Sequence, residues 1–303
     1  MTQKVAVTDS RAVTVNSWGD PNGFPILLLH GTPGSSCGPV PRSSVLYRHG
    51  IRLICYDRPG YGDSGRHPGR TVADAAGDVL ALADEMKLGE FSVVGRSGGG
   101  PHALACAATI DSGRLRNVAV LVGLAPTDAP DWFDGMADSN IEEYELVGDD
   151  RTAVIADLTE RARQVRADPE CLLLALEKEM TEYDREIVTD FSFRRLLTES
   201  YREALRFGPF GWIDDVLAFR GPWGFALDKI SVPVQLWHGQ DDVFTPAHHS
   251  RWLAAQIPGA SIHIQPRAAH FDAMVVLPRI LARLKADSMD MAADAEAPEL
   301  VRL

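Results

Sequence analysis

The sequence predicts an α/β protein whose parallel sheet is covered by helices on both faces and interrupted once by a helical insertion. Three observations carry this expectation. Short, continuously apolar runs such as Ile26–Leu29 alternate with segments of helical spacing as far as residue 125. That rhythm stops near Pro126 and resumes at "ISVPVQLWHG". Between Pro126 and Arg220 stand 23 acidic and 11 basic residues, which account for the whole net charge of −12, while the flanking segments are neutral. A segment so different in charge has a different task from its flanks.

Taken in order, "AVTVNSW" reads as a strand, "GDPNGFP" as a turn and Ile26–Leu29 as a short buried strand. "VLYRHG" ends a helix, with Gly50 just past its last turn. "IRLICYD" is the next strand, and "RPGYGDSG" the loop after it. "TVADAAGDVLALADEMKLG" has helical spacing, with Val72, Ala75, Val79, Leu80, Leu82 and Met86 able to share a face. Strand Phe91–Gly95, a helix from about Gly98 and strand Asn117–Leu124 follow. In the acidic segment, "RTAVIADLTERARQVRA", "ECLLLALEKEMTEYDREIV" and "FRRLLTESYREALRFG" read as helices. Strand "ISVPVQLWHG", helix "PAHHSRWLAAQIPG", strand "ASIHIQP" and helix "HFDAMVVLPRILARLKA" complete the chain. The expected organisation is a core in two parts, 1–125 and 221–286, a helical insertion over 126–220 and a mobile tail over 287–303.

Composition narrows the function. A net charge of −12 argues against a nucleic-acid partner, which needs a basic face. No run of eighteen apolar residues is present, and "MTQKVAVTDSRAV" lacks the apolar centre of a signal peptide, so no membrane partner and a cytoplasmic location are expected. Cys37, Cys55, Cys106 and Cys171 show no CxxC or Cys/His pattern and read as buried free thiols; no metal site or cofactor is expected.

The chemistry is written in "FSVVGRSGGGPHALACA". Gly95-Arg96-Ser97-Gly98-Gly99 is a G-x-S-x-G sequence between a strand and a helix, the context of a nucleophile elbow. Residues two before and two after the serine must pass close together, which only glycine allows. The helix start aims free N–H groups at the same spot, so the Gly98 amide is a candidate oxyanion donor. A phosphate loop is the competing reading, but the lysine of GxxxxGK[ST] is missing.

A serine needs a base, and the base an orienting acid. In this architecture they follow in the order Ser, Asp or Glu, His, on loops after strands. His270 follows the last strand; His263, His102, His30 and His238 lie in or at the ends of elements, and His248 and His249 on a solvated helix. For the acid, Asp242 in "GQDDVFTP" is favoured over its neighbour Asp241 and over Asp128. "LLLHGTPGSS" closes a buried strand beside the elbow; Pro33 has no N–H, so Thr32 is the candidate second donor.

With "HGTPGSS", "DRPGYGDSG" (Asp57–Gly65), "GRSGG", "GQDDVFTP" and "AHF" in this order, the sequence resembles the α/β-hydrolase superfamily over Val13–Gly123 and about Ile230–Lys285. The resemblance implies a mostly parallel eight-stranded sheet, a helical cap after the sixth strand and a Ser97–His270–Asp242 triad. It also implies that the Asp57–Gly65 loop supports the site without taking part in the chemistry. The activity it implies is hydrolysis of a small to medium carboxylic ester. Proline-specific aminopeptidase, thioester, lactone or C–C bond hydrolysis and a non-catalytic receptor are the alternatives. An aminopeptidase would need cap carboxylates, and Glu142, Glu143 and Glu145 are the candidates. Trp132, Phe133 and Trp212 are candidate pocket aromatics. Arg96, where the family often has an uncharged residue or histidine, is expected either to pair with a nearby carboxylate or to bind an anionic part of the substrate.

Overall fold

Apolar residues on both sides of a strand require cover on both faces, and the fold supplies it. The computed structural model describes residues 2–7 and 11–296. Its strands are β1 (Thr2–Ala6), β2 (Ala12–Gly19), β3 (Phe24–Leu29), β4 (Ile51–Tyr56), β5 (Phe91–Arg96), β6 (Leu115–Leu121), β7 (Val234–Gly239) and β8 (Ser261–Gln265). They form one eight-stranded sheet in the order β1-β2-β4-β3-β5-β6-β7-β8. β2 runs antiparallel to β1 and β4, and the other pairs are parallel.

The run Ile26–Leu29 shows why such a strand is apolar throughout. Ile26 and Leu28 face one side of the sheet, under α1 (Ser43–Arg48) and α11 (Asp272–Glu296), where they meet Leu46, Leu277 and Leu281. Leu27 and Leu29 face the other side, under α2 (Ala75–Glu85), α3 (Gly99–Thr109) and α10 (His248–Gln256), among Val79, Leu104 and Leu253.

Between β6 and β7 the chain leaves the sheet for helices α4 (Asp138–Asp149), α5 (Arg151–Ala167), α6 (Glu170–Leu176), α7 (Glu182–Val188), α8 (Phe191–Ala204) and α9 (Phe210–Arg220). Several elements differ from expectation. The segment "ECLLLALEKEMTEYDREIV" is two helices, because the chain turns to bury Met180 and Thr181 then caps α7 by accepting from the Asp184 N–H. Strand β1 and helices α4 and α9 had no reading in the sequence. α9 is buried on nearly every side, from Gly211 to Phe219, so it lacks the apolar stripe that marks a surface helix. Finally, α11 continues through residues 287–296 of the expected tail; residues 297–303 lie outside those described.

All four thiols are free, but only Cys55 and Cys106 are buried; Cys37 is exposed and Cys171 half-buried. His249, expected on a solvated face, is buried: its Nδ1 accepts from the Ala125 N–H (3.0 Å) and its Nε2 donates to the Trp132 carbonyl (2.8 Å). Burial lowers its pKa to about 3, so the neutral ring fixes the start of the helical segment to the sheet. Among the described residues no helix is long and apolar enough to cross a membrane.

Candidate active site

The carboxyl ends of β3, β4, β5, β7 and β8 meet at one rim of the sheet, and each delivers a loop that the sequence singled out. Ser97 follows β5 directly and has φ 52°, a left-handed backbone that a serine adopts at a cost. The glycines around it are required by close approach. A Cβ at Gly95 would run into the Gly99 carbonyl oxygen, and one at Gly99 into the Leu29 carbonyl oxygen. α3 then starts at Gly99 with Gly98 as its N-cap, so the start of the helix sits beside the serine; the Gly100 N–H donates to the Ser97 carbonyl (2.8 Å).

Across from this turn lies the loop after β3. A Cβ on Gly31 would sit 3.4 Å from the Ser97 Cβ, and one on Gly98 would collide with the Thr32 side chain. Thr32 and Gly98 therefore face each other next to Ser97.

Asp242, in the loop after β7, is buried and fully bonded. Its Oδ1 accepts from the Phe244 and Thr245 N–H groups (both 2.9 Å), and its Oδ2 from Thr245 Oγ1 (3.0 Å) and His270 Nδ1 (2.8 Å). Burial alone would raise its pKa, but the His270 charge and hydrogen bonds from His238 and His270 hold it well below the usual carboxylate range. For His270, burial lowers the pKa, yet the charge and hydrogen bond of Asp242 and the charge of Asp184 outweigh it, and the net shift is upward. The rival acids, Asp128 and Asp241, make no bond to His270.

Asp184 was not read from the sequence. It sits on α7, fully buried, and its Oδ1 accepts the Phe271 N–H at 2.7 Å. Burial pushes its pKa up to about 6. It ties the histidine loop to a helix 87 positions away in the chain, a pairing with no local sequence signal.

A second buried cluster secures the loop opposite. Asp215 of α9 accepts from Arg58 (2.5 Å), Thr32 Oγ1 (2.6 Å) and the Tyr61 hydroxyl (2.8 Å) on one oxygen, and from Arg70 (2.5 Å) on the other. Arg58 also donates to the carbonyls of His30 and Gly31. The "DRPGYGDSG" loop therefore supports the Gly31-Thr32 turn, as the resemblance implied, and it does so through a carboxylate lent by α9.

Ser97, His270, Thr32 and Gly98 all line one cavity, roofed by α4, α5, α6, α8 and α9, with about 110 Å³ open to the centres of water molecules. No hydrogen bond joins the Ser97 hydroxyl to the His270 ring among the described residues; such contacts often close only around substrate. Trp212 lines the cavity. Trp132 and Phe133 are not among its lining residues: Trp132 donates Nε1–H to the Ala125 carbonyl at 2.8 Å and packs against Tyr144 and His249, so it anchors the helical segment. Glu142 and Glu145 are exposed; Glu143 lines the cavity but is held by Arg161 at 2.6 Å. Arg96 also lines the cavity and, among the described residues, has no carboxylate partner, so the expected ion pair is absent.

The sequence profile described as the alpha/beta hydrolase fold matches residues 25–275. The chain belongs to the α/β-hydrolase family. Its relatives include a non-heme haloperoxidase of Rhodococcus erythropolis, 25% identical over 88% of this chain and 92% of that one. A proline iminopeptidase of Lacticaseibacillus rhamnosus is 26% identical over 80% and 82%. Among solved structures, a thermophilic esterase from Thermogutta terrifontis covers 94% of this hydrolase and 97% of its own chain, with TM-score 0.67 and 21% identity. That structural likeness speaks to the fold alone.

Proposed function

We propose that this α/β-hydrolase is a serine esterase acting on small to medium, partly apolar carboxylic esters. The observation that carries the reading is the Asp242–His270 hydrogen bond of 2.8 Å, opening on a cavity that also holds Ser97 at its strained turn. Asp242 fixes the ring with Nδ1 protonated, which leaves Nε2 as the base. His270 takes the Ser97 proton as the oxygen attacks the ester carbonyl. The amides of Thr32 and Gly98 hold the developing oxyanion. The same imidazole, now charged and steadied by Asp242, protonates the departing alcohol, and then activates the water that hydrolyses the acyl-enzyme.

The helical segment over 126–220 serves as a cap that shapes the acyl and alcohol pockets. Leu124, Leu172, Leu176, Leu197 and Trp212 give the wall an apolar character suited to such substrates. An aminopeptidase reading is weaker, because a free amine needs an unpaired carboxylate and Glu143 is already engaged by Arg161.

The test is rapid mixing with a p-nitrophenyl ester. A burst of nitrophenol stoichiometric with enzyme, followed by slower turnover, is expected from the wild type. Ser97→Ala is expected to fold normally, judged by its melting curve, and to lose both phases. Equal turnover by that variant would overturn the proposal.

A further inference from the structure

Arg96 raises a question that ester cleavage leaves open. Arg96 is half-buried, and a guanidinium partly withdrawn from water costs free energy unless a counter-charge or full hydrogen bonding compensates it. Its neighbours do not supply that. One terminal nitrogen reaches the Pro39 carbonyl at a long 3.5 Å and touches the Met274 sulfur; the other makes no hydrogen bond among the described residues. The remaining ionic groups of the cavity wall are already matched: Glu143 with Arg161, and His270 with Asp242. Burial lowers the Arg96 pKa only to about 10, so the side chain is a cation at neutral pH.

A second donor on the same cavity wall is Tyr201 of α8, which is buried and has no hydrogen bond on its hydroxyl among the described residues. Burial raises that phenol's pKa to about 12, so it stays protonated and able to donate. Arg96, one residue from the nucleophile, thus shares the cavity wall with a neutral O–H and with His270.

We propose that Arg96 and Tyr201 form a carboxylate seat inside the active-site cavity, and that the natural substrate is an ester bearing a free carboxylate besides its scissile bond. One uncompensated positive charge matches a monoanion, and the planar guanidinium fork suits a carboxylate. A phosphate monoester, at about −1.5 to −2 near neutrality, would bring more charge than the seat neutralises. The acidic exterior of the cap does not contradict this, because an acidic surface repels at long range and is screened by salt, whereas the seat acts at contact.

This inference rests on the esterase reading, so the experiment separates the two. Mono-p-nitrophenyl glutarate and its methyl-capped counterpart place the charge on the acyl half; 4-acetoxybenzoate and its methyl ester place it on the alcohol half. For wild-type protein, kcat/KM of the anionic member is expected to exceed that of the neutral member in one of these pairs. Losing a hydrogen-bonded charge contact costs about 10- to 100-fold, so Arg96→Gln should lower that ratio by this amount, with Arg96→Lys intermediate. A neutral preference in both pairs, or an unchanged ratio in Arg96→Gln, overturns the seat and leaves the esterase standing. If Ser97→Ala cleaves all four as fast as wild type, the esterase reading has failed instead. The seat is then judged without turnover: glutarate should raise the melting temperature of wild type, with less effect on Arg96→Gln, and equal shifts overturn it.

Discussion

Replacing Asp215 by alanine would remove one carboxylate and strand two cations. Asp215 is wholly buried, and Arg58 and Arg70, at 1% and 6% exposure, each reach it at 2.5 Å. Thr32 Oγ1 and the Tyr61 hydroxyl lose an acceptor at the same time. Breaking a buried ion pair by removing one partner costs about 3–5 kcal/mol. Two guanidiniums share this carboxylate, so the cost falls at the upper end of that range, around 5 kcal/mol, before water fills the gap. Against a total stability of about 5–15 kcal/mol, Asp215→Ala would bring the protein close to unfolding at 25 °C. Asp215→Asn keeps the volume and part of the hydrogen bonding and should lose roughly half as much. The assay is urea unfolding followed by tryptophan fluorescence, comparing midpoints at constant slope. The neighbouring charges hold the Asp215 pKa well below the usual carboxylate range. A depressed folded pKa means the stabilisation is present above the unfolded value of about 3.9 and fades as pH falls below it. The deficit of Asp215→Ala should therefore be the same at pH 7 and pH 5. A deficit under about 1 kcal/mol, or one that shrinks by pH 5, would refute the reasoning.

His270 must be neutral to act as base, and its pKa is raised, so kcat/KM for a neutral ester should climb through a midpoint above the ordinary value of about 6.5. Asp184→Asn removes one of the charges that raise it and should move that midpoint to lower pH; a move upward contradicts the assignment. Asp184 itself has a folded pKa of about 6, above the unfolded value, so ionising it weakens folding as pH rises from about 4 to 6. Melting curves should show Asp184→Asn gaining on the wild type across that window. Gly98→Ala would push a methyl into the Thr32 side chain and spread the two amide donors; kcat should fall on the order of 100-fold, and the melting temperature should drop as well, because Thr32 Oγ1 is held by Asp215 and Arg58.

The parts legible in the sequence were those whose physics is local. Ser97 could be read because strand, glycine, serine, glycine and helix are contiguous, and Gly95 and Gly99 are needed for a close approach that five residues can reveal. Asp242 and His270 followed from the rule that loops after parallel strands gather at one rim, although only the 2.8 Å bond separates Asp242 from Asp241. The pieces that escaped depend on distant pairing. Nothing near Asp215 announces Arg58, 157 positions away, and α9 is buried all round and so carries no stripe. Trp132 and Phe133 were credited to the pocket on composition, yet whether an aromatic faces a cleft or anchors a hinge depends on how the helices pack. Arg96 was expected either to be paired or to face substrate, and only the three-dimensional neighbourhood, lacking a carboxylate, favours the second.

The measurement nearest to the central claim is labelling with a fluorophosphonate, followed by proteolysis and mass mapping. The account predicts a single modified residue, Ser97, and labelling that nearly vanishes in a folded His270→Ala variant because the hydroxyl has lost its base. Modification at another serine, or undiminished labelling of Ser97 without the imidazole, would contradict it.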